Sequence, residues 1–181
     1  MIETATLAGG CFWCLEAVFK RLRGVISVVS GYSGGIGTPD YERVSTGSTG
    51  HAESIQITFD PKIISYNTLL DVFWDLHDPT TLNRQGADIG TQYRSAIFYH
   101  NDLQKKNAED SKRKLEEKRI YTDPIVTQIA QFKDFFKAED YHQDYYDKNV
   151  TNSYCRVVID PKITKLHKAF SSIVKKKPDE I

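Results

Sequence analysis

The chain has 181 residues, with 24 basic and 24 acidic side chains, so its formal net charge is zero. This balance argues against a protein that binds nucleic acid or an anionic membrane surface, because such proteins usually carry a basic excess. The sequence also lacks a secretion signal and any apolar run near the roughly 20 residues of a membrane span, so we expect a cytoplasmic protein.

The spacing of hydrophobic residues predicts strands and helices in a single catalytic domain over residues 1–181. In chain order we predict strand 3–8, helix 12–22, strand 25–32, strand 51–59, helix 65–77, strand 94–100, helix 102–118, strand 124–130, a helix near 138–148 and a last amphipathic helix. The first six follow the order β-α-β-β-α-β, the split βαβ pattern of a sheet with helices on one face. We therefore predict an α+β fold, a two-layer sandwich with a ferredoxin-like core and a long C-terminal extension.

Two polar loops, at residues 33–50 and 78–93, separate predicted core elements. The first is longer than most connections in compact domains, which favours a functional loop. His51 follows it directly, and we expect this side chain to orient the loop by hydrogen bonding, with a role as a base as the alternative.

The segment GGCFWC lies where the first strand turns into the first helix. Two glycines allow a tight turn, which places Cys11 at or beside the N-cap of the helix. The helix dipole and the unpaired N–H groups at that end favour an anion, so we expect an enlarged thiolate fraction. A thiolate is the attacking form of cysteine, and the position therefore predicts that Cys11 is the nucleophile of a thiol enzyme.

The chain contains three cysteines, Cys11, Cys14 and Cys155, too few for a disulfide scaffold. Three other interpretations stay open: Cys11 as a buried structural residue, Cys11–Cys14 as a thioredoxin-like redox pair, and a zinc site. A zinc site would need further ligands, and the sequence has no second C-x-x-C motif and no closely spaced histidine pair. We therefore predict no metal.

Five segments together resemble the A-type peptide methionine sulfoxide reductases: GGCFWCLEAVF, GYSGG, PDYERVSTGSTGHAESIQITFDP, HDPTTLNRQGADIGTQYRSAIFY and AEDYHQDYY. The likeness extends over almost the whole chain. It implies a peptide-methionine (S)-S-oxide reductase, an oxidoreductase of protein repair under oxidative stress that acts on free and protein-bound methionine S-sulfoxide. It also implies no bound cofactor, with thioredoxin as electron donor and NADPH as the source through thioredoxin reductase.

The resemblance also implies roles for individual residues. They are the nucleophile Cys11, the acid catalyst Glu53, the hydroxyl donors Tyr41 and Tyr93, the second carboxylate Asp88, and the aromatic pocket Phe12 and Trp13. Most family members have glycine where this chain has Cys14, and a subset has cysteine. That departure leaves the resolving step open between Cys14 and Cys155.

The chemistry of sulfoxide reduction explains this inventory. A sulfoxide sulfur accepts a thiolate only when its oxygen is protonated or strongly hydrogen-bonded, so the site needs an acid and neutral donors. Apolar walls and a nearby thiolate should raise the pKa of Glu53, so that it is protonated before the attack. We expect Asp88 to organise the loop or bound water, and His142 and Asp144 to give structural support.

Attack should yield methionine and a sulfenic acid on Cys11, which a second thiol converts to a disulfide. We favour Cys155, in the polar and potentially mobile segment TNSYC. Cys14 is the alternative, since Cα atoms three residues apart on a helix lie about 5–6 Å from each other, within disulfide range.

Two rival functions remain from other classes: a general dithiol–disulfide oxidoreductase, and a non-catalytic module that binds oxidised or apolar side chains through Phe12 and Trp13. The expected partners are methionine sulfoxide, free and in proteins, and thioredoxin. We expect a monomer.

Overall fold

A computed structural model describes residues 1–176, so residues 177–181 of the predicted extension lie outside the described residues. The strands are β1 Glu3–Gly9, β2 Val25–Ser33, β3 Ala52–Phe59, β4 Arg84–Gln85, β5 Asp88–Ile89, β6 Ser95–Tyr99, β7 Gln128–Gln131 and β8 Phe135–Lys137. The helices are α1 Phe12–Phe19, α2 Tyr41–Ser45, α3 Tyr66–Leu76, α4 Asp102–Glu117, α5 Tyr145–Lys148 and α6 Asp160–Ala169. Strands and helices thus mix in one chain, and the predicted α+β class is confirmed.

Six strands form one sheet in the order β7-β6-β1-β3-β2-β8. The pairs are antiparallel except for β6 and β7, which run parallel. Gly9 at the end of β1 pairs with Ser95 at the start of β6, and Ser33 at the end of β2 pairs with Ala52 at the start of β3. Four strand ends therefore meet at one end of the sheet. The candidate site residues beside these ends are Cys11, Glu53 and Tyr93.

One face of the sheet carries α1 and α3. Leu7, Ile55 and Ile57 point from this face into the main apolar core, which also contains the buried residues of both helices. Each fully buried aliphatic side chain stabilises the fold by about 1.5–3 kcal/mol. Helix α1 also packs against α5 and α6, so it is covered on several sides and holds the residues at its start in a fixed place.

Most predicted elements agree with the structure within a few residues, and Ser65 caps α3 as expected, accepting the N–H of Thr68 at 3.1 Å. The predicted helix near 138–148 is wrong. A 3₁₀ turn at Asp140–His142 and the short α5 replace it, because Asp144 has left-handed backbone angles (φ 55°, ψ 31°) that interrupt a helix. Strand β8 was not predicted.

The two polar loops contain structure of their own. The first includes α2, and the second includes the β4–β5 hairpin. Within residues 1–176, every helix is too short or too polar to cross a membrane.

Candidate active site

The turn between β1 and α1 depends on two glycines. Gly10 has a φ of +95°, and a Cβ atom there would lie 2.7 Å from Cγ of Gln85. A Cβ atom on Gly9 would lie 3.0 Å from the ring of Phe73. The chain can therefore pass directly from strand to helix only with glycine at position 10, and this passage puts Cys11 at the N-cap of α1.

The carboxyl of Glu53 lies at the start of the same helix. Its Oε2 atom accepts the backbone N–H of Phe12 at 3.1 Å, the residue next to Cys11. Cys11 is 8% exposed and Glu53 is 4% exposed. A buried carboxyl thus accepts a backbone N–H at the N-terminal end of α1, one residue from Cys11.

Burial raises the pKa of Glu53 from its usual 4.5 to about 8. The charges of Asp88 and Cys14 act in the same direction, and the hydrogen bond from Phe12 opposes them. Burial dominates because a carboxylate removed from water loses more than one backbone hydrogen bond returns. The carboxyl of Glu53 is therefore protonated at neutral pH.

The expected direction of the Cys11 pKa is wrong. Burial raises it well above the usual value, and the hydrogen bond that Cys11 donates to Cys14 and the charge of Glu53 raise it further. These effects outweigh the helix terminus, which contributes only about 0.3–1 kcal/mol in most settings. The hydrogen bond received from Cys11 lowers the pKa of Cys14, so the two thiols titrate as a pair.

Tyr154 connects the cysteine pair to Asp88. Its hydroxyl lies 3.9 Å from Sγ of Cys14 and donates a hydrogen bond to Oδ2 of Asp88 at 2.8 Å. Tyr154 comes from the C-terminal part of the chain, whereas Asp88 lies in the β4–β5 hairpin. One signal in the sequence could have pointed to Tyr154, namely its position directly before Cys155.

Cys155 lies close to this group but is fully buried, with 0% of its surface exposed. Burial raises its pKa, and the charge of Cys14 raises it further. The polar segment leads into regular structure, since Cys155 begins a π-helical turn, Cys155–Ile159, that continues into α6. Sequence reasoning missed this turn because its apolar residues, Val157–Ile159, form a short run without helical periodicity.

Two phenol groups lie near Glu53. Tyr41 begins α2, and its backbone N–H donates to Oε1 of Glu139 at 2.8 Å. Tyr93 ends the 3₁₀ turn Thr91–Tyr93. Burial raises the pKa of both phenols, and the charge of Glu53 raises each further, so both stay neutral hydrogen-bond donors.

Phe12 and Trp13 occupy different positions. Phe12 is fully buried and packs against the rings of Tyr32 and His142, with centroids 5.7 and 5.0 Å away. Trp13 is only partly buried, and its Nε1 atom donates to Nδ1 of His142 at 3.0 Å. The ring of Tyr145 stacks on one face of Trp13 at 3.6 Å, so Trp13 is the aromatic wall nearer to solvent.

Two supporting residues hold the loops beside the site: Glu139, which was not singled out from the sequence, and His51, which was. Glu139 holds both the hydroxyl of Tyr32 and the N–H of Tyr41, each at 2.8 Å. His51 places its Nδ1 atom 3.2 Å from the N–H of Gly35 and its Nε2 atom 2.9 Å from the carbonyl of Gly37, which fixes the loop as expected. Within the part of the chain that the structure describes, three or more metal-binding side chains do not cluster.

Comparisons with known proteins agree with this arrangement. The family model for peptide methionine sulfoxide reductase matches residues 3–174. The chain is 58% identical over 175 residues to a peptide methionine sulfoxide reductase MsrA of Saccharolobus solfataricus, covering 96% of this chain and 98% of the relative. A protein of the same description from Thermus thermophilus is 51% identical over 174 residues, covering 96% of this chain and 98% of its own length.

Two solved structures are also similar to this chain. The reduced form of Mxr1 from Saccharomyces cerevisiae is similar with a TM-score of 0.79 and 37% identity, covering 85% of this chain and 89% of that chain. Mxr1 in complex with Trx2 is similar with a TM-score of 0.57 and 28% identity, covering 80% of this chain and 84% of that chain.

Proposed function

Because the chain belongs to the peptide methionine sulfoxide reductase family, we propose that Cys11 reduces methionine S-sulfoxide with Glu53 as the acid. The family and the enzyme class expected from the sequence motifs are confirmed: the chain is a peptide-methionine (S)-S-oxide reductase, an oxidoreductase that reduces methionine sulfoxide. The observation that supports the proposal is the hydrogen bond from the N–H of Phe12, the residue next to Cys11, to the carboxyl of Glu53.

The first step transfers oxygen. The sulfur of Cys11 attacks the sulfoxide sulfur while Glu53 protonates the sulfoxide oxygen, and the proton of the Cys11 thiol replaces the one that Glu53 gives up. In sum, thiol and sulfoxide become sulfenic acid and thioether: Cys11 is oxidised by two electrons and methionine is reduced by two. A resting site with a protonated thiol and a protonated carboxyl supports this order, because neither carries charge until substrate arrives.

Tyr41 and Tyr93 hydrogen-bond the sulfoxide oxygen in this proposal. Their hydroxyls stay neutral, and both lie within reach of the charge of Glu53. Neutral donors fixed around one oxygen stabilise the charge that develops there during attack. Asp88 has a different role in this proposal: it accepts a hydrogen bond from the hydroxyl of Tyr154 and does not contact the sulfoxide oxygen.

Trp13 and Phe12 bind the methyl group of the substrate. The exposed part of the Trp13 indole supplies the contact surface, and Phe12 supports it from the buried side. An apolar aromatic wall suits a methyl group and excludes water from the reacting sulfur.

Cys14 resolves the sulfenic acid first. Its thiol is the hydrogen-bond partner of Cys11, and its pKa is lowered by that bond. Attack of the Cys14 sulfur on the sulfenic sulfur forms the Cys11–Cys14 disulfide and breaks the S–O bond, and the Cys14 proton leaves with the hydroxyl group as water. In the proposed relay, the Cys155 sulfur then attacks the Cys14 sulfur of this disulfide, which forms a Cys14–Cys155 disulfide and returns the thiol of Cys11, with the proton passing from Cys155 to Cys11. The charge of Cys14 acts on the pKa of Cys155, which supports the closeness of these two side chains.

Thioredoxin reduces the final disulfide, with NADPH as the electron source through thioredoxin reductase and no bound cofactor. The complex of Mxr1 with Trx2 supports this donor for the family. We further propose that free and protein-bound sulfoxides are both substrates, that the protein is a cytoplasmic monomer, and that the order β6-β1-β3-β2 is a ferredoxin-like core.

The test is thioredoxin-dependent NADPH consumption with each sulfoxide epimer, with wild type beside Cys11→Ser. The proposal predicts turnover with the S epimer alone and none in the variant. Glu53→Gln and Tyr41→Phe distinguish the proposed enzyme from a general dithiol–disulfide oxidoreductase. An oxidoreductase of that kind would need neither residue, so both variants would keep full activity toward disulfides. Activity of Cys11→Ser at the wild-type level would overturn the proposal.

A further inference from the structure

Helix α1 contains a buried carboxylate that the proposed reaction does not use. Glu16 is 3% exposed, and burial raises its pKa above the usual value. Both of its carboxyl oxygens lie 3.0 Å from the backbone N–H of Asp144. A buried carboxyl is costly unless it is hydrogen-bonded, and here the backbone N–H of Asp144, in the C-terminal part of the chain, donates to both of its oxygens.

That N–H belongs to a residue with an unusual backbone. Asp144 has φ 55° and ψ 31°, the left-handed region that residues other than glycine seldom adopt. It is the N-cap of α5, and the next residue is Tyr145. The ring of Tyr145 lies parallel to the indole of Trp13, with an angle of 5° and a centroid distance of 3.6 Å.

Glu16 and Trp13 are three residues apart on α1, so their side chains share one face of the helix. Glu16 holds residue 144 and Trp13 carries the ring of residue 145. The two contacts therefore hold residues 144 and 145 against α1. Gln143 fixes the segment from the other side, through bonds to the backbone N–H and carbonyl of Ser30 at 3.0 and 2.9 Å.

Ion pairs at the surface add to the same contact. Asp147 pairs with Lys20 at 2.6 Å and with Arg21 at 2.8 Å, and the side chain of Asp147 is 40% exposed. Exposed pairs of this kind contribute little to stability. The less exposed bonds of Glu16 and Gln143 are therefore the contacts that hold the segment, and Glu16 is the one that holds Asp144.

We propose that Glu16 is a positioning residue for the sulfoxide site. Its hold on Asp144 keeps Tyr145 stacked on Trp13, and this stack orients the indole toward the methyl group of the substrate. The inference rests on the proposed function, in which Trp13 binds that methyl group. An indole that is already ordered in the free protein does not have to lose conformational entropy when substrate binds. Loss of the Glu16–Asp144 contact should therefore weaken substrate binding without changing the chemical step.

The experiment uses a Trp74→Phe background, because the chain has two tryptophans and this change makes Trp13 the single fluorophore. Acrylamide quenching reports the exposure of Trp13, and single-turnover reduction of methionine sulfoxide gives a half-saturating concentration and a limiting rate. The variants are Glu16→Ala, which removes the acceptor, Glu16→Gln, which keeps one, and Asp147→Asn, which removes the ion pairs of Asp147 and leaves the pair of Lys20 with Asp144.

Glu16→Ala should raise the half-saturating concentration about three- to tenfold, the range expected for loss of one aromatic contact, and leave the limiting rate unchanged. Quenching of Trp13 should increase. Glu16→Gln should restore both readouts, and Asp147→Asn should match the parent.

Equal quenching and equal half-saturation in Glu16→Ala and the parent would overturn the inference, as would failure of Glu16→Gln to restore them. If Glu16→Ala does not fold, Tyr145→Ala beside Tyr145→Phe removes the stack without touching α1, and only the alanine variant should show the rise. A parent protein that does not reduce sulfoxide would instead refute the proposed function, while the quenching comparison would still decide whether Glu16 holds the stack.

Discussion

Glu53 accepts a backbone N–H of α1 and lies almost wholly out of water. These two facts act on its pKa in opposite directions, because the hydrogen bond favours the carboxylate and burial favours the acid. The pKa near 8 shows that burial dominates. A carboxyl in this state can give a proton at neutral pH, and the same state makes the folded protein sensitive to alkali.

The stability of the protein should therefore fall as the pH rises. Between 4.5 and about 8, the unfolded chain releases the Glu53 proton while the folded protein keeps it. The contribution of this group to the free energy of unfolding should decline by up to about 1.4 kcal/mol per pH unit in that window. Urea unfolding of wild type and Glu53→Gln across this range measures it, and equal slopes in the two proteins would contradict a protonated Glu53.

Tyr154 provides a second prediction at the same scale. Tyr154→Phe removes the hydroxyl that lies between Asp88 and Cys14. Because that hydroxyl helps to lower the pKa of Cys14, the variant should release one equivalent of methionine normally but form its first disulfide more slowly. Thiol counting after a single turnover measures this step. Disulfide formation at the wild-type rate would show that Tyr154 does not assist Cys14.

Among the elements, the β1–α1 turn is the most sensitive to substitution. Gly10→Ala would put a Cβ atom on a backbone with a φ of +95° and in overlap with the side chain of Gln85. Gly86→Ala is the control, because its φ is also positive, at +58°, but the space around its Cβ is open. The control should lose about 1 kcal/mol of stability from backbone strain alone, and Gly10→Ala should lose clearly more. Thermal unfolding compares them, and equal losses would mean that Gln85 moves aside freely.

The elements that the sequence predicted well are those with local signals. Hydrophobic periodicity and the Ser65 cap define α3, and alternation defines β3. In contrast, β8 exists because Phe136 pairs with Tyr32 of the sheet, and α5 begins where the left-handed Asp144 ends the preceding turn. Both depend on contacts with distant residues, which a pattern within a few neighbouring positions does not record.

The site residues also divide into those with a local sequence signal and those that depend on distant contacts. The motif around Cys11 and the segment around Glu53 could be placed from sequence, because one end of the sheet must join them. Glu16 and Glu139 could not, since each acts through a backbone N–H more than 90 residues away along the chain. The direction of the Cys11 pKa was wrong for a related reason, because the sequence shows the helix terminus but not the burial.

Across the whole molecule, one end of the sheet gathers the reacting groups and the C-terminal part covers them. Tyr145 stacks on Trp13, Tyr154 reaches Cys14, and Cys155 lies fully buried behind them. In the proposed reaction thioredoxin must reach the disulfide, so we expect this cover to move after oxidation. The oxidised protein should therefore differ from the reduced one mainly in this part.

The cysteine relay makes a matching prediction. Cys155→Ser should still form the Cys11–Cys14 disulfide but recycle slowly with thioredoxin, while Cys14→Ser should accumulate the Cys11 sulfenic acid. Thioredoxin-coupled turnover together with mass spectrometry of the trapped intermediates distinguishes the two variants. Full recycling in both would show that neither cysteine is obligatory.

The most direct test is one turnover of the Cys14→Ser/Cys155→Ser variant with methionine S-sulfoxide and no reductant, followed by a sulfenic acid trap and peptide mapping. The account predicts one equivalent of methionine and the trapped group on Cys11, with both lost when Glu53→Gln is added. Methionine formed without modification of Cys11, or a trapped group elsewhere, would contradict it.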